Sequence, residues 1–210
     1  SPLSESFPYI HLDAPGRFLL GASYGAHLVS VHPVGDNGMP GAPQQVIPTA
    51  RHAHAIITER TNRFAFAPHL GTDQVFQFSF DEKSGRLAAN TPPVLQLAQG
   101  TGPRHLVASP DNRFLFVLNE LTATVTTLPH KEGLLKEVGS ASVLAPGTRL
   151  FPGAPRPTPG RDVSNDIWAS DLHLTPDGRF LYAAERTSST IGVMRVDKAT
   201  GKLGYLGSTP

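Results

Sequence analysis

His54, Arg104, Glu120 and Arg186 are the residues of this 210-residue chain whose types and spacing best suit chemistry. Two guanidinium groups can grip an anion, or stabilise negative charge growing on an oxygen. A carboxylate and an imidazole can move a proton. The set therefore suits an anionic substrate whose reaction needs proton transfer. What links the four is a register. Four stretches align without a gap around an arginine, at Arg17, Arg63, Arg113 and Arg179. Nine residues before that arginine stand Pro8, His54, Arg104 and Ser170; seven after it stand Tyr24, Leu70, Glu120 and Arg186. If the runs on either side of the turn form an antiparallel hairpin, both registers lie at its far end.

The elements that must hold these registers are short strands. Each copy has apolar residues before the turn, as in Ser109-Pro110-Asp111-Asn112-Arg113-Phe114 and Thr175-Pro176-Asp177-Gly178-Arg179-Phe180, and a β-rich run after it. Twelve residues past the arginine, Val29, Val75, Val125 and Ile191 mark a third β-rich run. A repeat of roughly 45 to 50 residues with several short strands is the signature of a β-propeller blade. The expected fold is all-β, a partial β-propeller of about four blades, as one array over residues 1–210 with no domain boundary. The run before each turn becomes the innermost strand, so the far ends rim one face of a central channel. The four candidate residues then converge from three consecutive blades. A plainer reading has these inward charges simply pairing with one another beside a wet channel.

The arginines are spaced 46, 50 and 66 residues apart, and one insertion at about 145–169 accounts for the long last step. It carries Pro146, Pro152, Pro155, Pro157 and Pro159 with Gly147, Gly153 and Gly160. Proline lacks a ladder donor, so this stretch is no central strand. It is expected to be a mobile loop or an ordered lid. Hairpin turns stand at Gly35-Asp36-Asn37-Gly38, Asp81-Glu82-Lys83-Ser84-Gly85 and Asp197-Lys198-Ala199-Thr200-Gly201.

Composition sets outer limits. The 20 Gly and 20 Pro suit many tight turns and disfavour long helices. With 18 Lys and Arg against 17 Asp and Glu, no global field favours nucleic acid or an acidic membrane surface, and neither is expected as a partner. The absence of Cys excludes disulfides, Cys-ligated zinc and thiol catalysis. No apolar run approaches the roughly 20 residues of a membrane-spanning helix, and a cytoplasmic location is expected. The chain opens on Ser1 rather than Met, which suggests a processed or cut start.

Gly100-Thr101-Gly102-Pro103-Arg104-His105 through Asn119-Glu120-Leu121, and Trp168-Ala169-Ser170-Asp171-Leu172-His173 through Glu185-Arg186-Thr187, resemble the lactonase family of seven-bladed propellers. That family includes propeller-type 6-phosphogluconolactonases and 3-carboxy-cis,cis-muconate cyclases. His52-Ala53-His54 to Asp73-Gln74-Val75 resembles the preceding family blade, and Phe18 to Val31 an earlier one. The resemblance implies a catalytic set of one His, two Arg and one Glu, which falls on His54, Arg104, Glu120 and Arg186. It also implies a small anionic lactone as substrate, opened by water without a cofactor. The alternatives are a lactonising cyclase acting on a related anion and a non-catalytic scaffold whose rim binds a partner protein. One departure is His69, where the family usually has an acidic residue before Leu-Gly. Seven blades are implied and about four are present, so the chain reads as a fragment whose uncovered end faces favour self-association.

His52, His69, His105 and Asp171 lie beside the catalytic registers and are the candidate substrate contacts. His52 and His54, two apart, resemble part of a metal site, but no third ligand is assured and no metal is expected. His11 and His173 share a register and read as core or channel-lining residues. Trp168 is expected to pack against the insertion. Arg17, Arg63, Arg113 and Arg179 recur in every copy and read as structural.

Overall fold

The computed structural model describes residues 6–155, 157 and 159–210. Its seventeen named strands form four antiparallel sheets. The first holds β1 (Tyr9–Leu12), β2 (Phe18–Ser23), β3 (Leu28–Pro33) and β4 (Gln45–Pro48). The second holds β5 (Ile57–Thr58), β6 (Phe64–His69), β7 (Gln74–Asp81) and β8 (Arg86–Gln96). The third is built from β9 (Pro103–Ala108), β10 (Phe114–Asn119), β11 (Thr124–Lys131), β12 (Leu134–Leu135) and β13 (Gly139–Ser142). The fourth comprises β14 (Ala169–Leu174), β15 (Phe180–Glu185), β16 (Thr190–Val196) and β17 (Leu203–Thr209). Three sheets are simple four-stranded meanders, and in the third both β12 and β13 pair with β11. This strand-by-strand meander is the architecture of a propeller blade.

By their contacts these sheets separate into two compact units. One runs to Gln96 and includes His130–Leu135, the tip of the β11–β12 hairpin; the other comprises Leu97–Pro129 and Lys136–Pro210. Each has its own apolar core. Leu20, Val31, Ile56, Ala65 and Phe78 centre the first, and Phe116, Leu118, Val125, Leu181 and Met194 the second. In the first unit Ile10 and Leu12 of β1 are exposed, and in the second Tyr182, Ile191 and Leu206 are.

The recurring turn is explained atom by atom. The residue four before each arginine accepts from the backbone N–H of the phenylalanine just after it. The acceptors are Asp13 Oδ1 (2.8 Å), Glu59 Oε1 (3.1 Å), Ser109 Oγ (3.0 Å) and Thr175 Oγ1 (3.0 Å). Each turn also closes through a backbone bond from the residue just before the arginine. That residue is Gly16, Asn62, Asn112 or Gly178, with φ between 59° and 73°, a region that glycine and asparagine tolerate. The arginine then lies over the ring of the following phenylalanine, 5.1 to 5.9 Å from its centroid in all four copies. These four arginines therefore hold the fold.

The described part of the insertion is ordered against the second unit. Gly153 donates its N–H to Leu121 O at 2.9 Å, and Ile167 donates to Phe151 O at 2.8 Å. Ile167 is buried in the core, and Phe151 bridges Asp166. Arg156 and Thr158, which fall within the insertion, lie outside the described residues.

Candidate functional site

Two β-bulges create the site of the second unit. Between β9 and β10 the pairing steps from Leu118↔His105 to Asn119↔Pro103, which leaves Arg104 as the extra residue. Between β14 and β15 it steps from Ala169↔Glu185 to Asp171↔Ala184, which leaves Ser170 extra. Arg104 and Ser170 occupy the same place in their repeats. A bulge re-aims the side chain it carries, and the two bulges meet where Arg104 Nη1 donates to Ser170 O. Beyond the bulge, Glu120 donates its N–H to Gly102 O at 2.8 Å, while Arg186 donates to Trp168 O at 3.2 Å. Glu120 and Arg186 thus begin the turns after β10 and β15.

Glu120 joins the two arginines. Its Oε2 lies 2.7 Å from Arg104 Nε, and its Oε1 accepts from Arg186 Nη2 at 2.8 Å. The side chains of Glu120 and Arg104 are 9% and 15% exposed, whereas that of Arg186 is 49% exposed. Burial pushes the Arg104 pKa below its ordinary value, Glu120 opposes that, and the charge of Arg186 adds to it. The guanidinium nonetheless remains cationic. Arg186 is further held by its Nε–H, which donates to Trp168 O at 2.8 Å, and by the Trp168 ring, 6.0 Å from its Cζ. Trp168, near the end of the insertion, therefore supports Arg186.

Beneath Arg186 lies a residue that sequence reasoning passed over. Glu185 accepts N–H bonds from Trp168 (2.8 Å), Thr187 (3.1 Å) and Ser188 (2.6 Å). Burial alone would raise its pKa, but these backbone donors and the Ser188 hydroxyl bring it below the ordinary value. The signal was present in the repeat. Six residues after each arginine stand Ser23, His69, Asn119 and Glu185, all polar and all almost completely buried. All four are buried plugs, and Ser23 and Glu185 also accept backbone N–H bonds from the turn that follows, from Ala26 and from Thr187 and Ser188.

A second chain of contacts abuts Arg104. His105 Nδ1 lies 2.8 Å from Asp171 Oδ1, and His173 Nε2 lies 3.2 Å from Asp171 Oδ2. Arg104 Nη1 is 3.1 Å from His105 Nε2. Burial lowers the His105 pKa, and the charges of Arg104 and His173 act the same way, against the hydrogen bond and charge of Asp171.

The first unit holds the other expected site residues. His54 is 7% exposed, and its N–H donates to Pro68 O at 3.0 Å. The Tyr24 ring lies edge-on to His54 at 5.7 Å and stacks on His52 at 4.1 Å. His52 has φ 62°, donates its backbone N–H to His27 Nδ1 at 3.1 Å, and donates from its own Nδ1 to Tyr24 O at 3.3 Å. His69, an expected substrate contact, has no exposed surface. Its Nδ1 donates to Ala67 O at 2.9 Å, and its Nε2 lies 2.7 Å from Thr49 Oγ1. Burial pushes its pKa down to about 4. With both nitrogens engaged below the surface, His69 serves as a plug like Glu185. Among the described residues no group of three or more His, Asp or Glu is arranged to hold a metal ion.

Antiparallel blade sheets and a carboxylate clasped by two arginines define a propeller with an anion-suited site. A family model described as "Lactonase, 7-bladed beta-propeller" matches residues 2–210, and the chain belongs to that family. It is 33% identical over 210 residues to a 6-phosphogluconolactonase of Erwinia tasmaniensis, covering 100% of this chain and 59% of that protein. It is 31% identical to the 6-phosphogluconolactonase of Serratia proteamaculans, again over 59% of the relative. Among solved structures, the periplasmic gluconolactonase PpgL of Pseudomonas aeruginosa aligns with a TM-score of 0.80 at 29% identity. That alignment covers 96% of this chain and 56% of that one. The chain thus spans less than two thirds of the length of these relatives.

Proposed function

We propose that the whole protein is a lactone hydrolase that opens an anionic sugar lactone with water, 6-phosphogluconolactone being the first candidate. The observation that carries this reading is the Arg104–Glu120–Arg186 clasp, with its contacts of 2.7 and 2.8 Å. Named relatives at 31–33% identity that are 6-phosphogluconolactonases support it. The half-exposed Arg186 is suited to meet a phosphate or carboxylate by a two-pronged contact. The more buried Arg104 is suited to the carbonyl oxygen, because a charge in a desolvated setting stabilises a developing oxyanion more strongly. Glu120 keeps both guanidinium groups aimed before substrate arrives, so little reorganisation is left for the reaction itself. An anion that displaces one contact would release a carboxylate oxygen to take a proton from water.

The test is hydrolysis by the whole protein of 6-phosphoglucono-δ-lactone, of the unphosphorylated lactone and of a carboxymuconolactone, each corrected for spontaneous opening. Turnover favouring the phosphorylated lactone supports the proposal. Action on the muconolactone alone would put the cyclase reading first, and silence on all three would favour a binding scaffold. Self-association through blade faces is proposed on the exposed Tyr182, Ile191 and Leu206 of the last sheet. A clean monomer in sedimentation would contradict it.

A further inference from the structure

Glu185 is 2% exposed, and it is the one carboxylate in the plug series Ser23, His69, Asn119 and Glu185. A carboxylate offers about four acceptor positions, and here four donors use them. Oε1 takes the backbone N–H of Trp168 at 2.8 Å and that of Thr187 at 3.1 Å. Oε2 takes the N–H and the hydroxyl of Ser188, at 2.6 and 2.7 Å. Thr187 and Ser188 belong to the turn that follows Arg186. Trp168 comes from the other side, immediately before β14, so one side chain pins both stretches of backbone to each other.

The peptide group between Trp168 and Ala169 then touches the site at both of its ends. Its carbonyl accepts the backbone N–H of Arg186 at 3.2 Å and the Nε–H of the same residue at 2.8 Å. Its N–H, which belongs to Ala169, donates to the backbone O of Glu120 at 3.0 Å. Arg186 Nη2 donates to Glu120 Oε1 at 2.8 Å, which closes a ring of contacts through the peptide, Arg186 and Glu120. Nε and Nη2 of Arg186 are thereby committed, and among the described residues no acceptor bonds its Nη1.

We propose that Glu185 is a positioning residue for Arg186: by holding the Trp168 backbone and the Thr187–Ser188 turn together, it sets the direction in which the guanidinium presents Nη1 to the anionic group of the substrate. This rests on the lactone-hydrolase reading for its effect on substrate affinity, though not for its geometry. Glutamine at 185 has the same volume but puts an NH2 where one oxygen stood. Either Trp168 and Thr187 or Ser188 would then face a donor with a donor. A buried N–H without an acceptor is costly enough to drive the backbone away. Any shift of Trp168 carries with it the carbonyl that holds Arg186 Nε, and small errors of aim are expensive at a binding group.

The experiment measures kcat and KM for 6-phosphoglucono-δ-lactone and for the unphosphorylated lactone. It uses the whole protein and its Glu185→Gln, Arg186→Ala and doubly substituted variants, each shown to be folded by circular dichroism. Glu185→Gln should raise KM for the phosphorylated lactone about ten-fold, the size of one lost hydrogen bond to a charged group. It should leave kcat nearly unchanged and move KM for the unphosphorylated lactone much less. Added to Arg186→Ala, it should change KM no further. An unchanged KM, an equal fall in kcat for both lactones, or the same effect with and without Arg186 would overturn the proposal, because a packing role gives those results. Glu185→Asp keeps the charge but is one methylene shorter, and it is read by the same criteria should Glu185→Gln not fold. Nitrogen-15 NMR of the Arg186 Nε–H decides the geometry even if the protein opens no lactone. Slow exchange with water that becomes fast in the Glu185 variant supports the proposal, and equal rates in both overturn it. An inactive wild type whose Nε–H protection depends on Glu185 would count against the lactonase reading alone.

Discussion

Replacing Glu120 should cost stability unequally through its two arginines. Both ion pairs are equally short, at 2.7 and 2.8 Å, but they sit in different surroundings. Arg104 and Glu120 are nearly enclosed, and charges about 4 Å apart at an effective dielectric of about 20 attract by roughly 4 kcal/mol. Removing one partner of such a pair costs about 3–5 kcal/mol, because the other charge is left desolvated. Arg186 is half exposed, and water screens its attraction to about 0.2–1 kcal/mol. A double-mutant cycle with Glu120→Gln, Arg104→Gln and Arg186→Gln should therefore give a coupling near 3 kcal/mol for Arg104 and below about 1 kcal/mol for Arg186. Urea unfolding followed by tryptophan fluorescence is the assay. This chain's single tryptophan, Trp168, stands beside Arg186 and reports on this unit. Equal couplings, or a stronger one to Arg186, would refute the reasoning from burial.

Other outcomes follow from neighbouring features. His69 has a folded-state pKa of about 4, below its usual 6.5, so the unfolded chain binds the proton first as pH falls. Its contribution is complete above pH 6.5 and lost toward pH 4, which lowers stability by about 2 kcal/mol at pH 5. His69→Gln should flatten that loss in unfolding measured at pH 8 and pH 5. Ser109→Ala leaves the buried Phe114 N–H without its acceptor and should cost about 1–3 kcal/mol in the same denaturant assay. Gly102 has φ 63°, and an added Cβ would stand 2.6 Å from Leu121 Cγ. Gly102→Ala should thus destabilise by about 1–3 kcal/mol and lower turnover by disturbing the bulge that carries Arg104.

Much of this was legible because the repeat is physical. The polar residue four before each arginine, the Gly or Asn just before it and the Phe after it each make one bond or contact, repeated four times. Those constraints are local, so a linear sequence displays them. The register also pointed to Arg104, Glu120 and Arg186, which the second unit brings together. The bulges were not legible. A one-residue slip at Arg104 and Ser170 depends on how β9 meets β10 and β14 meets β15, and the only local trace is a glycine at Gly102. The plug series Ser23, His69, Asn119 and Glu185 was visible as recurring polarity in an apolar strand, yet its purpose emerged only from the burial of all four. His69 shows the consequence: its place beside the catalytic registers made it a candidate substrate contact, and its side chain turns out to be a buried support.

The central claim is that Arg104 and Arg186 divide the work on one anionic lactone. Steady-state hydrolysis of 6-phosphoglucono-δ-lactone by the whole protein and its Arg104→Ala and Arg186→Ala variants tests it most directly. The expected result is a fall in kcat of about a hundred-fold or more for Arg104→Ala, the size of a lost oxyanion donor. Arg186→Ala should chiefly raise KM, and its effect should shrink with the unphosphorylated lactone. Full turnover by Arg104→Ala would contradict the account.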